Sequence, residues 1–252
     1  MIRQLVQREI SVRYKASLLG MAWSFLTPIL MLAIYTFVFS VIFQARWEIE
    51  LKDPGEFALV LFAGLIVFQL IAECIGRAPG LISENPSYVK RVVFPLEALP
   101  WVVVINATFN ALVSYGILVI AYLIMVGSPP ITAFWLPAVL LPLILTTCGL
   151  VWFLSSAGLF VRDVRQIVGV AIPVLMFASP VFYPISALPE GMRPFMRFNP
   201  MALTIEQVRS VLLFGKAPDF SDLGLLYLLA IVVAWAGLVW FLVTKRGFAD
   251  VL

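Results

Sequence analysis

The sequence predicts an all-α integral membrane protein: six transmembrane helices, an amphipathic interface helix at the N-terminus and re-entrant helices before the last span. Three observations predict this class. The 252 residues are 62% hydrophobic and 12% charged, with a mean hydropathy of +1.04, whereas soluble domains carry about 25% charged residues. No residue between Lys15 and Arg46, or between Glu97 and Arg162, is charged. These stretches do not alternate between polar and apolar residues, so they do not favour barrel strands.

Each predicted span is an apolar run near the roughly 20 residues that an α-helix needs to cross a bilayer. The stretch between Glu97 and Arg162 is long enough for two spans, and Gly127, Ser128 and two prolines interrupt it. The six predicted spans are residues 21–43, 57–76, 99–126, 134–160, 167–182 and 223–243.

The distribution of basic residues predicts that both termini are cytoplasmic, because Lys and Arg near span ends are retained on that side of the membrane. Eleven of the 17 Lys and Arg residues fall on the side of the termini. The other six are Arg46, Lys52, Arg193, Arg197, Arg209 and Lys216.

Residues 1–18 have an amphipathic pattern, with Ile2, Leu5, Val6 and Ile10 on one helical face and polar or basic residues on the other. This pattern is typical of a helix that lies along the membrane surface with its basic side toward the headgroups. An ordinary juxtamembrane tail that follows the orientation rule is the alternative, and the pattern alone does not decide between them.

Residues 81–97 form a cytoplasmic loop between the second and third predicted spans. Turn signals at Asn85-Pro86 and at Pro95 enclose a short segment that contains Lys90 and Arg91. A simple connecting loop would suffice here, but a transporter driven by a soluble motor needs an element of this kind. Composition alone leaves both interpretations open.

Residues 184–214 precede the last span and follow a proline-rich break. Five prolines between residues 180 and 200 exclude a lipid-exposed helix, because its backbone groups would be left without hydrogen bonds. The segment is nevertheless too apolar for a solvated loop, which predicts a re-entrant gate; an interfacial loop anchored by aromatic residues is the alternative. The candidate gate residues are Phe182, Tyr183, Pro184, Phe195 and Phe198.

An aromatic stripe is predicted in the first span. Tyr35, Phe39 and Phe43 recur every four residues, and Phe25 is placed on the same helical face. Aromatic rings can stack on the flat C–H surfaces of sugars, so the stripe is a candidate polysaccharide path. Packing or lipid contact is the more common role of such stripes.

The sequence lacks the side chains that catalysis requires. It has no G-x-x-x-x-G-K-[ST] motif and no His, and Cys74 and Cys148 lie in apolar segments without a second ligand nearby. The carboxylates are scattered, without a close pair for acid–base chemistry. We therefore expect no catalytic residue, no metal site and no cofactor in this chain. Basic residues flank the spans instead of forming one patch, so nucleic acid is not an expected partner.

Four strings, in order, identify a family: REISVRYKASLLGMAWSFLTPIL, SENPSYVKRVVFPLEALP, GLFVRDVRQIV and SPVFYPISALPEGMRPFMRFNP. With the six predicted spans, they resemble the transmembrane permease subunits of ABC type-2 exporters, in particular those that export O-antigen and teichoic-acid polysaccharides. The resemblance covers nearly all of residues 1–252, which implies a single transmembrane domain. Within it, O-antigen and lipopolysaccharide biosynthesis are favoured over teichoic acid.

The resemblance implies a homodimer that binds two copies of a separate ATPase, which carries the ATP and Mg. The substrate would be a polysaccharide on undecaprenyl pyrophosphate, exported from the cytoplasmic side of the bacterial inner membrane among the membrane lipids. The residues that it implies for contact with the ATPase are Arg8, Arg13 and Tyr14 in the interface helix and Asn85, Lys90, Arg91, Phe94 and Pro95 in the coupling loop. The candidates for the anionic headgroup are Arg8, Arg13, Lys15 and Lys90.

Three other functions remain alternatives. A type-2 exporter of a small molecule or a lipid would need no sugar path. A membrane enzyme that acts on polyprenyl-linked sugars is disfavoured by the dispersed carboxylates and the absence of His. A passive channel is disfavoured because no ring-forming filter sequence is present.

Overall fold

A computed structural model describes residues 5–6, 20–38, 54–89 and 94–252. These residues form helices and turns and contain no strand, so the predicted all-α class is confirmed. Seven helices in this part of the chain have 13 or more residues: α1 (Trp23–Tyr35), α2 (Pro54–Arg77), α3 (Ala98–Met125), α4 (Leu136–Phe160), α5 (Asp163–Ala178), α6 (Pro200–Leu212) and α7 (Phe220–Thr244).

Four of the described helical stretches are long and apolar enough to cross a membrane. They are Glu56–Gly80, Ala98–Met125, Ile131–Phe160 and Phe220–Val251, and they coincide with the second, third, fourth and sixth predicted spans. The first predicted span corresponds to a shorter apolar helix, Trp23–Val38, and its residues 39–43 lie outside the described chain.

The fifth predicted span differs from its helix at both ends. α5 begins at Asp163 and ends at Ala178, four residues before the predicted end. Ser179 is extended, with φ −111° and ψ 150°, because the ring of the following Pro180 disfavours helical backbone at the residue before it. At 16 residues, α5 is shorter than the roughly 20 that a straight span requires.

Helix α2 is the centre of the bundle. Every residue from Phe57 to Phe68 except Gly64 belongs to the buried apolar core, and α2 contacts α1, α3, α4, α5 and α6. A helix that is apolar on all faces is stable when protein or lipid surrounds it, and here protein buries 83% of its most apolar stretch.

Helices α4 and α7 cross at glycines. A Cβ atom at Gly237 would collide with the carbonyl group of Gly149, and a Cβ atom at Gly149 would collide with the backbone of Val233. Small residues allow helix backbones to approach closely in membranes, where packing replaces the hydrophobic effect as the force between helices.

The connections lie at two ends of the bundle. The α2–α3 end contains residues 78–89 and 94–97, the α4–α5 turn and the C-terminal helix Phe248–Val251. Pro79, Gly158, Arg162 and Val251 lie around one pocket at this end. The α6 end contains the α3–α4 turn, residues 179–199, α6 and the start of α7; there, Thr132 Oγ1 donates to the carbonyl of Val211 at 2.7 Å.

We predict that Gly237→Ala destabilises the bundle by ~1–3 kcal/mol, the usual cost of an overpacked core, because the new methyl group meets the α4 backbone. The matched control is Gly224→Ala in the same helix, where a Cβ atom meets open space. Thermal unfolding of the two purified variants in detergent measures the difference. Equal melting temperatures would contradict the close α4–α7 crossing.

Candidate functional site

Part of the predicted site lies outside the described residues. These positions are Phe39 and Phe43 of the aromatic stripe and Arg8, Arg13, Tyr14, Lys15, Lys90 and Arg91 of the headgroup and coupling sets. Their roles stay predictions from sequence, as does the interface helix over residues 1–18.

The two described members of the aromatic stripe have different surroundings. The side chain of Phe25 is 49% exposed, whereas Tyr35 is half-buried and packs against the core around α2. A common path along Phe25 and Tyr35 stays a prediction.

The described parts of the coupling loop, residues 81–89 and 94–97, are folded. Asn85 Nδ2 donates to the carbonyl of Leu81 at 2.9 Å, and its own carbonyl accepts from the backbone N–H of Tyr88 at 3.1 Å. The ring of Phe94 stacks on that of Tyr88, with centroids 4.4 Å apart. The carbonyl of Pro95 accepts from the N–H of Ala98 at 3.0 Å at the start of α3. Three predicted coupling residues thus shape the loop itself.

Two ion pairs connect the coupling loop to helices distant in sequence. Arg165 Nη2 donates to Glu84 Oε1 at 2.8 Å, which links the loop to α5. Lys245 Nζ donates to Glu97 Oε2 at 2.7 Å, directly after α7. Trp152 Nε1 of α4 also donates to the carbonyl of Glu97, at 3.2 Å. Each end of the loop is therefore connected to a different helix.

The Glu97 pair alters the acidity of its carboxyl group. Partial burial favours the neutral form, but the hydrogen bond from Lys245 and its charge outweigh burial and lower the pKa of Glu97. The side chains of Lys245 and Glu97 are 32% and 37% exposed, whereas those of Arg165 and Glu84 are 62% and 67% exposed. Solvent therefore screens the Glu84 pair more strongly.

At the α6 end, a buried arginine joins three segments. The side chain of Arg209 is 1% exposed. Its guanidinium donates to the carbonyls of Val60 at 3.1 Å, Pro180 at 2.8 Å and Val181 at 2.8 Å, and to Glu206 Oε1 at 3.1 Å. A buried charge is tolerated when it is paired and hydrogen-bonded, and these four acceptors meet that condition.

The surroundings of Arg209 are matched to its size. A Cβ atom at Gly64 would lie 2.8 Å from Nη2 of Arg209, so only glycine leaves room for the guanidinium beside α2. Pro180 and Val181 follow the end of α5, where helical hydrogen bonding stops and carbonyls need other donors. The sequence alone predicted only that Arg209 lies on the side of the membrane opposite the termini. The signal that could have revealed its ion pair is Glu206, an acidic residue three positions earlier.

The candidate gate residues divide into two groups. Phe182 is half-buried against Phe57, Val60 and Leu61. Tyr183 donates its hydroxyl to the carbonyl of Phe177 at 2.9 Å, and Pro184 precedes the short helix Ile185–Ala187.

Phe195 and Phe198 form the second group and are exposed, at 70% and 79%. The structure therefore packs the start of the segment against the bundle and leaves these two rings at the surface. Asn199 joins the two parts, since its Oδ1 accepts from the N–H groups of Met201 and Ala202 while its Nδ2 donates to Ser179 Oγ at 3.1 Å.

The interior of the described bundle has little reactive chemistry. Asn110 Nδ2 of α3 donates to both carboxylate oxygens of Glu73 in α2, at 3.1 and 3.4 Å. No three His, Cys, Asp or Glu side chains in the described ranges lie close enough to hold a metal ion.

Comparison with known proteins decides the family. The family model described as ABC-2 type transporter matches residues 1–213. The chain belongs to this family. It is therefore a multi-pass transport subunit and not an enzyme, and the ATPase of such a transporter is a separate subunit. The resemblance inferred from the four strings is confirmed.

The relatives of this ABC-2 subunit match over almost their whole length. It is 27% identical to the O-antigen export system permease protein RfbA of Myxococcus xanthus and 25% identical to the protein of that name from Klebsiella pneumoniae, in each case over 98% of this chain and 93% of the relative. It is 23% identical to the polysialic acid transport protein KpsM of Escherichia coli, over 94% of this chain and 90% of the relative.

We predict that Arg209→Lys destabilises the protein strongly, because an ammonium group has three donors and cannot reach four acceptors arranged around a planar guanidinium. Breaking buried charge networks costs about 3–5 kcal/mol. Arg197→Lys, at an exposed position on the same segment, is the control. Thermal unfolding in detergent compares the two, and an Arg209→Lys variant as stable as Arg197→Lys would contradict the role of Arg209.

The lowered pKa of Glu97 predicts a pH-dependent contribution to stability. It is fully present above the unfolded-state pKa of about 4.3 and is lost as the pH falls through the lower folded-state pKa. Glu97→Gln should therefore lower the melting temperature at pH 7 and have little effect near pH 3. Glu84→Gln should have a smaller effect at pH 7, because its pair is more exposed. A Glu97→Gln effect that does not change between these pH values would contradict the assignment.

Proposed function

We propose that this chain is the permease subunit of an ATP-driven exporter that moves a lipid-linked polysaccharide of the O-antigen type across the bacterial inner membrane. The observation that carries the proposal is the match, over 98% of the chain, to relatives named as O-antigen export permeases. The relative named for polysialic acid transport supports polysaccharide export as the broader class.

The proposed assembly is a homodimer of six-span subunits with two ATPase copies and both termini in the cytoplasm. The four long helices supply four of the spans, and α1 and α5 would supply the others. The apolar run that contains α1 continues to Phe43 in the sequence, which supports a full first span. The segment 184–214 would be the re-entrant gate; the burial of α6 between the breaks at Ser179 and Gly215 supports this.

In the proposed mechanism, the ATPase pushes on residues 81–97 when it binds ATP. The ion pairs of Glu84 with Arg165 and of Glu97 with Lys245 offer a route for this movement to α5 and α7. Arg8, Arg13, Lys15 and Lys90 would bind the pyrophosphate headgroup of an undecaprenyl carrier, and the aromatic stripe would line the sugar path.

Deletion of the gene in its host tests the function. We expect lipid-linked polysaccharide to accumulate inside the cell, because synthesis continues while export stops. The wild-type gene should restore export, whereas a variant with both Lys90→Glu and Arg91→Glu should not, since the charges of both basic residues of the coupling loop are reversed. Arg246→Glu, an exposed basic residue after α7, is the matched control for charge reversal and should restore export.

Normal polysaccharide export without the gene would overturn the proposal and leave the export of a small molecule or lipid as the alternative. Full export by the Lys90→Glu, Arg91→Glu variant would overturn only the assignment of the coupling residues.

A further inference from the structure

A cleft of about 730 Å³ opens at the α6 end of the bundle. Its walls are residues 185–197, one face of α6 and the turn before α7. Its volume falls within the roughly 300–1,000 Å³ of pockets that bind small molecules. None of the candidate residues predicted from the sequence lines this cleft.

Charges of both signs line the cleft. The cations are Arg193, Arg197 and Lys216, and the carboxylates are Glu190, Glu206, Asp219 and Asp222. The lining has three positive and four negative charges, and one of the carboxylates, Glu206, is paired with the buried Arg209. The lining therefore has no excess of cations that would bind a polyanion.

The mixed lining suits a ligand that is rich in hydroxyl groups. Each hydroxyl group both donates and accepts hydrogen bonds, so it can pair with a guanidinium on one side and a carboxylate on the other. Pro194, Met196 and Leu203 add apolar surface to the same cleft, which suits the C–H faces of sugar rings.

Hydrogen bonds made by the lining residues themselves hold the walls of the cleft in place. Gln207 Nε2 donates to the carbonyl of Asp219 at 3.1 Å, and Gln207 Oε1 accepts from the N–H of Asp219 at 3.0 Å. The guanidinium of Arg193 donates hydrogen bonds to the backbone carbonyls of Ser186 at 2.7 Å and Leu188 at 3.0 Å. A site with fixed walls loses less conformational entropy when it binds a ligand.

The cleft is adjacent to the buried arginine. Glu206 lines the cleft with a side chain that is 37% exposed, and its carboxylate accepts from Arg209 at 3.1 Å. A ligand hydroxyl that donates to Glu206 would therefore contact the same carboxylate that neutralises Arg209.

We propose that this cleft binds saccharide units of the exported polymer, and that it accepts an uncharged polymer in preference to a polyanionic one. The inference rests on the proposed export of a polysaccharide and adds the place where the polymer is bound and the charge class of its sugars.

Filling the cleft tests the site. Ser210 on α6 lines it and is half-buried. Ser210→Trp places a large ring in the cleft and should abolish most export, with the amount of protein in the membrane unchanged. Ser128→Trp is the matched control, because Ser128 is exposed at the same end of the bundle and does not line the cleft. This variant should export normally.

A labelling experiment does not depend on how well Ser210→Trp folds. The native Cys74 and Cys148 are buried, so Ser210→Cys introduces a thiol that a hydrophilic maleimide can label selectively. Labelling is compared in membranes from cells that stall the polymer in the transporter, through a partner ATPase unable to hydrolyse ATP, and from cells that make no polymer. We expect the stalled polymer to slow labelling of Ser210→Cys and to leave labelling of Ser128→Cys unchanged.

The charge preference is tested by the same labelling in cells engineered to make either an uncharged or a polyanionic lipid-linked polymer. Protection by the uncharged polymer alone supports the inference, and equal protection by the two overturns the charge class. Equal labelling with and without any polymer, while the wild type exports, overturns the site and leaves the proposed function intact. Failure of the wild-type gene to affect polysaccharide location overturns the proposed function instead.

Discussion

The structure depends most on one constraint, a guanidinium group enclosed in an apolar bundle. Arg209 is buried by α2, α6 and the chain that follows α5, and its four acceptors come from those same segments. The carbonyls of Pro180 and Val181 are free to accept because α5 ends before them. A side chain at Gly64 would occupy the space of the guanidinium. The end of α5, the position of α6 and the glycine in α2 therefore form one structural unit.

The two ends of the bundle are held by different kinds of interaction. The α6 end uses buried hydrogen bonds from a charged donor to backbone carbonyls, which cannot exchange with water and are costly to break. The α2–α3 end uses partly or largely exposed ion pairs, which exchange readily with solvent. The end to which an ATPase is proposed to bind is thus the end whose contacts can rearrange at low cost. Helix α2 extends between the two ends and packs against five other helices, so it can transmit such a movement.

The cleft beside α6 gives the charged residues of that end a shared environment. In the linear sequence, Arg193, Arg197 and Lys216 resemble the ordinary polar content of a loop next to a membrane span. Folding brings them together with four carboxylates around one concave surface. Glu206 belongs both to this surface and to the Arg209 network, so the cleft and the anchored break after α5 share a carboxylate.

The sequence by itself determined the membrane class, the positions of four long spans and the family, because these depend on local composition and on strings of adjacent residues. A bilayer requires about 20 apolar residues in a row, and such runs can be read without knowing what packs against them. Only the tertiary structure showed that Glu84 pairs with Arg165, that Glu97 pairs with Lys245 and that Arg209 reaches Val60, contacts that span 81, 148 and 149 residues of chain. Hydropathy has no information about these pairings, since they arise when helices cross at particular angles and bring distant side chains together.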